Sequence, residues 1–513
     1  MNGAATVTLR PKDENARLIV AIDVTPLKPG GENGGLKPAV FGLLRAVADK
    51  GGDDLVFVFL TNSASHTEIR ALARTNDILI CVLDDPVHPG RTLPDFPGEF
   101  VLLNPPDGFL NAIEVDLLYC PFGAATYHTS TVPTIALIAD LLHREFPSSL
   151  SAREISHRES YIANTIEVAS KVQCISRSGV KQMLKHYDVP RQKLFWTYLP
   201  IHRRLAATEA VTRESHRPIF FYPANLWLHK NHELLLRSYA AYCKEAGVAA
   251  WDLVLTFHED SRAAFLRSLA DELGIVHHVR FAGFVDEREL HEIWLKAGAL
   301  VFPSLHEGFG IPLLEAMYYG VPIIAGSGFS LKEVVGDACR AIDPRVPSSV
   351  TAALLEISRD PELRRELVMR GRERLQLFNL QQTASSLLAA FRSVTQTDSS
   401  FPRRPVPADA HLTAPTPSSD ARWRIDVMVR ATGGLSKTFL YLDDSLFATW
   451  SADSLRAGVV SFFCRPNGRL LSVRQSAVWS GATAGNDGTR SDIATIIAHG
   501  SNRERIVLYD DDD

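Results

Sequence analysis

Short apolar runs recur along the chain, with amphipathic stretches between them. Residues 17–23 (RLIVAID), 55–60 (LVFVFL), 79–83, 117–119 and 134–138 are brief and rich in β-branched residues, so they read as buried strands. PAVFGLLRAVAD, at 38–49, has helical spacing with Pro38 in the first turn. A second series starts near 217. PIFFYP, WDLVLTF (251–257), VRFAGF (279–284), ALVFPS (299–304) and VPIIAG (321–326) read as strands. NHELLLRSYAAYCKEA, SRAAFLRSLADELG, ERELHEIWLKA and GIPLLEAMYYG read as helices between them, followed by helices at 348–357, 361–374 and 380–394. Strands alternating with helices predict parallel sheets covered on both faces, in two β/α halves that meet near 200–216. Ligands of such sheets bind at the carboxyl ends of the strands, so the cleft between the halves is the expected site.

The pattern changes after the last helix. Residues 395–420 are rich in Pro, Ser, Thr and Asp and read as a linker. Residues 421–509 read as a small β-rich module, with RIDVMVRA, KTFLYLDD, GVVSFFCRP and GRLLSVRQSAVW as strands. Asn467-Gly468 between two of these runs predicts a hairpin. The module carries no chemical motif, which points to a structural or interaction role.

Composition narrows the classes. With 513 residues and 46% apolar content the chain can bury several cores. Lys plus Arg total 54 against 59 Asp plus Glu, a net charge of −5, which argues against broad nucleic-acid binding. Six scattered cysteines without a Cys-x-x-Cys pair fit reduced thiols in a cytosolic protein, not a zinc or disulfide framework. The N-terminus has no export signal, and no apolar run is long enough to span a membrane.

The most informative stretch is VFPSLHEGFGIPLLEAMYYGVP, 301–322. Glu307 lies in a loop and Glu315 inside the following helix. Eight positions at helical rise span about 12 Å, which suits two contacts on one elongated ligand better than a shared proton. Gly308 and Gly310 permit close backbone approach, and the free amides at the helix start favour an anion or a sugar hydroxyl.

This segment resembles the E-x7-E signature of retaining GT-B glycosyltransferases of family 4, also called glycosyltransferase group 1. GFVDERELHEIWLKAGALVFPS upstream and GVPIIAGSGFSLKEVVGDA downstream are similar to the same family. The resemblance covers about residues 17–395. It implies an α/β GT-B fold: two Rossmann-like β/α/β domains facing a cleft, with the β-rich module appended. Residues 17–205 would be the acceptor domain and 216–394 the donor domain.

The family resemblance also implies a nucleotide-sugar donor lying across the second domain. Glu315 would accept ribose hydroxyls, Glu307 would touch the transferred sugar, and the amides at Phe309, Gly310 and Ile311 would hold sugar or diphosphate oxygens. In YPANLWLHKNHELLLRSY (222–239), Lys230 keeps the family's diphosphate lysine, but Asn225 stands where an arginine is usual. A neutral amide donates a hydrogen bond without neutralising charge, leaving Lys230 to carry more, or a second cation such as Arg237 or Lys332 to help. The glycine loop GGENGG (30–35) lacks a Walker lysine and does not match G-x-G-x-x-G. By resemblance Gly34 and Gly35 would face the diphosphate. After the strand at 134–138, Asp140 and His143 stand near the family's usual His-Asp pair, with His143 as the candidate sugar-side histidine and Asp140 and Arg144 on the acceptor side. Ser176 is expected to cap a helix. Phe284, with the backbone near His258, would border the nucleobase.

The implied reaction is metal-independent and cofactor-free, and it transfers a hexose to a hydroxyl of a carbohydrate or lipid-linked sugar. Family analogy places it in polysaccharide or glycoconjugate synthesis in the cytoplasm, peripheral to the inner membrane face. Two alternatives stand beside it: another GT-B enzyme such as a sugar-nucleotide epimerase or phosphorylase, and a catalytically weak or dead carbohydrate-binding scaffold.

Overall fold

The computed structural model describes residues 18–29, 35–83, 100–103, 110, 115–201 and 218–397, and strand segments between 412 and 510. In the first half, β1 (Leu18–Asp23), β2 (Leu55–Thr61), β3 (Ile78–Leu83), β4 (Phe100–Leu103), β5 (Leu117–Cys120), β6 (Thr134–Ile138), β7 (Lys171–Cys174) and β8 (Leu194–Trp196) line up as β4-β3-β2-β1-β5-β6-β7-β8. Each neighbouring pair is parallel. β5 and β6 are buried at every position, which is why their sequences run apolar without alternation. The helices α1 (Leu36–Gly51), α2 (His66–Arg70), α3 (Leu142–Glu145), α4 (Ala152–Val168) and α5 (Arg177–His186) accompany this sheet. Ser176 caps α5, its hydroxyl accepting the Gly179 N–H at 2.9 Å, as expected from sequence.

In the second half β9 (Ile219–Pro223), β10 (Asp252–Thr256), β11 (Val279–Gly283), β12 (Ala297–Phe302), β13 (Ile323–Gly326) and β14 (Cys339–Ile342) form a parallel sheet in the order β11-β10-β9-β12-β13-β14. The helices are α6 (His232–Ala246), α7 (Ser261–Glu272), α8 (Glu287–Lys296), α9 (Ile311–Tyr319), α10 (Phe329–Val335), α11 (Pro347–Arg359), α12 (Pro361–Leu375) and α13 (Leu380–Thr397). Sequence reading did not isolate α10 and β14; seven and four residues are too short for a periodic signature. Chain order reverses between β1 and β5 and again between β9 and β12, so each half has a switch point facing the cleft. Ala39, Leu137, Ile175 and Leu199 of the first half pack into the second half's core, so the halves touch at the cleft floor.

Three expectations change. The helix at 380–394, assigned by sequence to the second domain, packs on the first. Ala384, Leu387, Leu388, Phe391 and Val394 join the core of Val20, Leu44 and Phe57, and Phe391 meets Tyr119 edge-on at 5.1 Å. An apolar helical stripe states that a core is near, not which one. The Asn467-Gly468 hairpin is also overturned. Its flanking strands, Gly458–Cys464 and Leu471–Ala477, do not pair with each other. The first pairs with Trp423–Ala431, and the second pairs with Ser436–Leu442 in a separate sheet. Asn467 and Gly468 themselves lie outside the described residues; a turn dipeptide alone does not decide which strands pair. Ser436–Leu442 pairs antiparallel with Ser445–Ser451, Leu442 standing opposite Ser445. Finally, α13 continues through Thr397, and Leu412–Thr413 pairs with Leu471–Ala477, so the proposed linker is interrupted by structure; its other residues lie outside the described ones. The β-rich segments meet the first half at its edge, where Phe463 stands antiparallel to Val101 of β4.

Candidate functional site

The switch point of the second sheet brings together the loops that follow β9 and β12. Several hydrogen bonds knit them. Leu305 N–H donates to the His229 carbonyl at 2.7 Å, and the buried Tyr222 hydroxyl donates to the Lys230 carbonyl at 2.8 Å and meets Ser304 Oγ at 3.0 Å. Asn231 has φ +65°, and its side-chain amide donates to the carbonyls of Pro303 and Pro344. An asparagine tolerates this left-handed conformation and repays its strain with two carbonyl contacts.

Within this frame Lys230 Nζ lies 2.6 Å from Glu307 Oε1, with side-chain exposures of 12% and 9%. The rings of Trp227 and Phe302 lie 5.8 and 5.9 Å from the ammonium. Gly310 (φ +92°) turns the chain into α9, where a side chain would be strained. At Gly308 an added Cβ would fall on the Ala139 carbonyl oxygen and 3.2 Å from Asp140 Cβ, so the two halves approach backbone to backbone here. Gly35 approaches the start of α9 likewise, with a notional Cβ 3.3 Å from Ile311 Cβ.

The structure sorts the remaining expected residues. Phe309 is buried against Tyr198 and Phe378, which leaves only its backbone for a ligand. Glu315 is half-buried about one turn into α9 beside Tyr319, whose pKa is raised by burial and then by that carboxylate. Phe284 is 68% exposed beside the His258 ring. Asn225 spends its carbonyl oxygen on the His258 N–H at 2.9 Å, which ties the loops after β9 and β10 together. Arg237 and Lys332 are exposed on α6 and α10. Gly34 lies outside the described residues.

On the facing half, Asp140 accepts the Leu142 N–H at 2.9 Å and pairs with Arg158 at 3.2 Å. Partial desolvation opposes its ionisation, but Arg158, the Leu142 amide, His306 and His229 together hold its pKa below the ordinary carboxylate value. His143 has different company from that expected. Its ring is fully buried, with Nε2 2.9 Å from the Tyr187 hydroxyl and 3.2 Å from Glu159. Burial lowers its pKa. Arg144 pairs with the same Glu159 and lies over the Tyr187 ring at 5.5 Å. The catalytic histidine expected at 143 is therefore corrected to a member of a packed polar network on α3, α4 and α5, and Arg144 belongs to that network rather than to the cleft.

Two histidines that sequence reading passed over are in the site. His229 and His306 are 6% and 2% exposed. Burial and then Lys230 push His229 down to about 4, and burial lowers His306. Both are neutral near pH 7, able to donate or accept a hydrogen bond without adding charge. Each immediately precedes a singled-out residue, Lys230 or Glu307, and that adjacency was the available signal.

The chain is similar in sequence and fold to known proteins. The sequence model of the family described as "Glycosyl transferases group 1" matches residues 206–374. The O-antigen chain mannosyltransferase B of Escherichia coli is 33% identical over 114 residues, 22% of this chain and 30% of that protein. The O-antigen chain mannosyltransferase RfbU of Salmonella typhimurium is 24% identical over 198 residues, 39% of this chain and 54% of that one. The matches thus span about a third to a half of these relatives. Among solved structures, Anabaena Alr3699/HepE in complex with UDP and glucose aligns with a TM-score of 0.55 at 16% identity, covering 73% of this chain and 100% of that one. WaaG, a glycosyltransferase involved in lipopolysaccharide biosynthesis, aligns with a TM-score of 0.52 at 15% identity, covering 72% and 99%. The chain has the GT-B fold, and its residues 206–374 match the sequence model of the family described as "Glycosyl transferases group 1".

Proposed function

We propose that the protein is a retaining glycosyltransferase that moves a hexose, mannose first among candidates, from a nucleotide sugar to a hydroxyl of a carbohydrate or lipid-linked sugar. The observation that carries this reading is the Lys230–Glu307 pair at the switch point, beside the free amides that open α9. The names of the mannosyltransferase relatives support mannose and polysaccharide synthesis, and the UDP-bound neighbour supports a nucleotide-sugar donor. No described helix is long and apolar enough to cross a membrane. A cytosolic site of action at the inner membrane face goes with such an acceptor.

In this reaction the bond from the anomeric carbon to the diphosphate oxygen breaks and a bond to the acceptor oxygen forms on the same face. The acceptor proton passes to the departing phosphate oxygen. Charge builds on the diphosphate, so preorganised donors aimed there supply the largest rate term. Lys230 exchanges its contact with Glu307 for the diphosphate, the amides at 309–311 take further oxygens, and Glu307 is released to the sugar. Glu315 accepts ribose hydroxyls. The chain's own side chains perform these roles without a metal or cofactor. Hydrogen-bonding neutral groups such as His229 and His306 orient hydroxyls without opposing the lysine.

The test is a panel of GDP-mannose, UDP-glucose and UDP-N-acetylglucosamine with a mannose-terminated acceptor, read by nucleotide release and by the anomeric configuration of the product. GDP release with an α-linked product is expected from GDP-mannose, and Glu315→Ala should weaken nucleotide affinity. Tight nucleotide-sugar binding with no turnover across the panel would overturn the enzyme reading. It would favour a binding protein, the alternative suggested by Asn225, whose neutral amide is committed to His258.

A further inference from the structure

Beyond the Lys230–Glu307 site, one carboxylate spans the cleft. Glu333 sits on α10, after β13 of the second half. Its Oε1 accepts the Arg177 N–H and its Oε2 the Ser178 N–H, both at 2.8 Å. These are the first two amides of α5 in the first half, and neither has an acceptor inside its own helix. Ser176 covers the third, from Gly179. The cap of α5 is thus completed by a residue about 155 positions away, in the other half. A carboxylate suits that place because it offers two oxygens and carries the charge that a helix N-terminus favours.

Both sides of this contact lead to the reaction site. On the second half, Arg374 of α12 donates to the backbone carbonyls of Glu333 and Val334, which fixes the end of α10. Ser330, one helical turn earlier, donates to the Glu307 carbonyl at 2.7 Å. On the first half, the Ser176 hydroxyl lies 3.4 Å from the Gly308 carbonyl, and Gly308 is the residue packed against Ala139 and Asp140. Tyr198 of the first half feels the same carboxylate: burial and then Glu333 raise its pKa.

We propose that Glu333 is a positioning residue whose carboxylate holds α5 against the Glu307–Gly310 loop, and so sets the separation of the two halves where transfer occurs. It touches no reacting atom. Its action is on alignment: a separation wrong by about an ångström costs on the order of a hundredfold in a reaction between two bound partners. The activity part of this inference rests on the glycosyltransferase reading; the contact itself does not.

The experiment uses the full chain, with Glu333→Ala and the milder Glu333→Gln, which keeps one acceptor oxygen and loses the charge. Hydrogen–deuterium exchange follows the peptides covering 175–184 and 303–312. Transfer from GDP-mannose is measured alongside. Glu333→Ala should speed exchange in both peptides by about tenfold or more while the core strands stay protected. It should lower kcat at least about tenfold with a smaller change in donor KM, and Glu333→Gln should fall between. Faster exchange at 175–184 alone, with 303–312 and kcat unchanged, reduces Glu333 to a local helix cap and overturns the proposal. If the unaltered chain transfers no sugar, the functional reading fails, and coupled exchange of the two peptides still decides the positioning role.

Discussion

The two polar clusters, one in each half, are built from similar residue types and put to different uses. In the second half, Lys230 and Glu307 follow strand ends and form an ion pair at 2.6 Å with the Trp227 and Phe302 rings beside the ammonium, and among the described residues Glu307 is the lysine's charged partner, so an incoming anion can replace it. In the first half, His143, Arg144 and Glu159 project from α3 and α4 and meet Tyr187 at the end of α5, so that each is held by others of the group, although His143 Nδ1 keeps no partner among the described residues. A lysine with one exchangeable partner is available for chemistry; a histidine locked between a phenol and a carboxylate serves the fold.

Substitutions on either side sharpen this contrast. The largest effect is expected from Lys230→Ala. Loss of a preorganised cation lowers kcat by about 10²–10³-fold. It also leaves Glu307 buried without its partner, at a cost of about 3 kcal/mol in denaturant unfolding. Retained turnover would erase the distinction between the clusters. Next is Gly308→Ala, whose new methyl meets the Ala139 carbonyl across the cleft. It should cost about a hundredfold in kcat/KM, with unfolding of each half little changed, because the clash is between halves. His143→Gln should do the reverse: about 1–2 kcal/mol of stability from its broken contacts, with kcat within about threefold. A collapse of kcat with intact stability would return His143 to the catalytic list.

The smallest and most general effect is on pH. Burial and then Lys230 push His229 down to about 4, and the same two causes, in that order, push His232 down to about 3. In the unfolded chain both titrate near the ordinary histidine value of about 6.5. Between these values the unfolded chain binds more protons, so stability is full above about pH 6.5 and declines as pH falls towards 4. Urea midpoints measured from pH 7.5 to 4.5 should fall, and His229→Gln should flatten the slope. An unchanged slope would mean that His229 is charged in the fold.

Legibility in the sequence follows the same division. The candidates Lys230, Glu307 and Glu315 could be proposed from sequence because they lie on one strand–loop–helix unit and one neighbouring loop, and the structure brings Lys230 and Glu307 into contact. The strands and most helices were readable because burial on both faces enforces unbroken apolar runs. In the first half the site is assembled from separate loops, and proximity to a strand end suggested His143 without revealing that its ring turns towards α4 and α5. Asp140 and Gly308 meet only because the halves meet, and no local pattern encodes that. Nor does any pattern encode Glu333, whose partners are backbone amides and hence have no side-chain identity to read.

Helix α13 has a practical corollary. Its apolar stripe covers the surface formed by Val20, Leu44 and Phe57, although more than 300 residues of chain separate it from the end of that strand-and-helix group. A fragment cut at residue 201 would bare that oily surface to water and should precipitate. Co-expressing a peptide of residues 380–397, or grafting it onto the fragment by a short tether, would be the way to obtain the first half in soluble form.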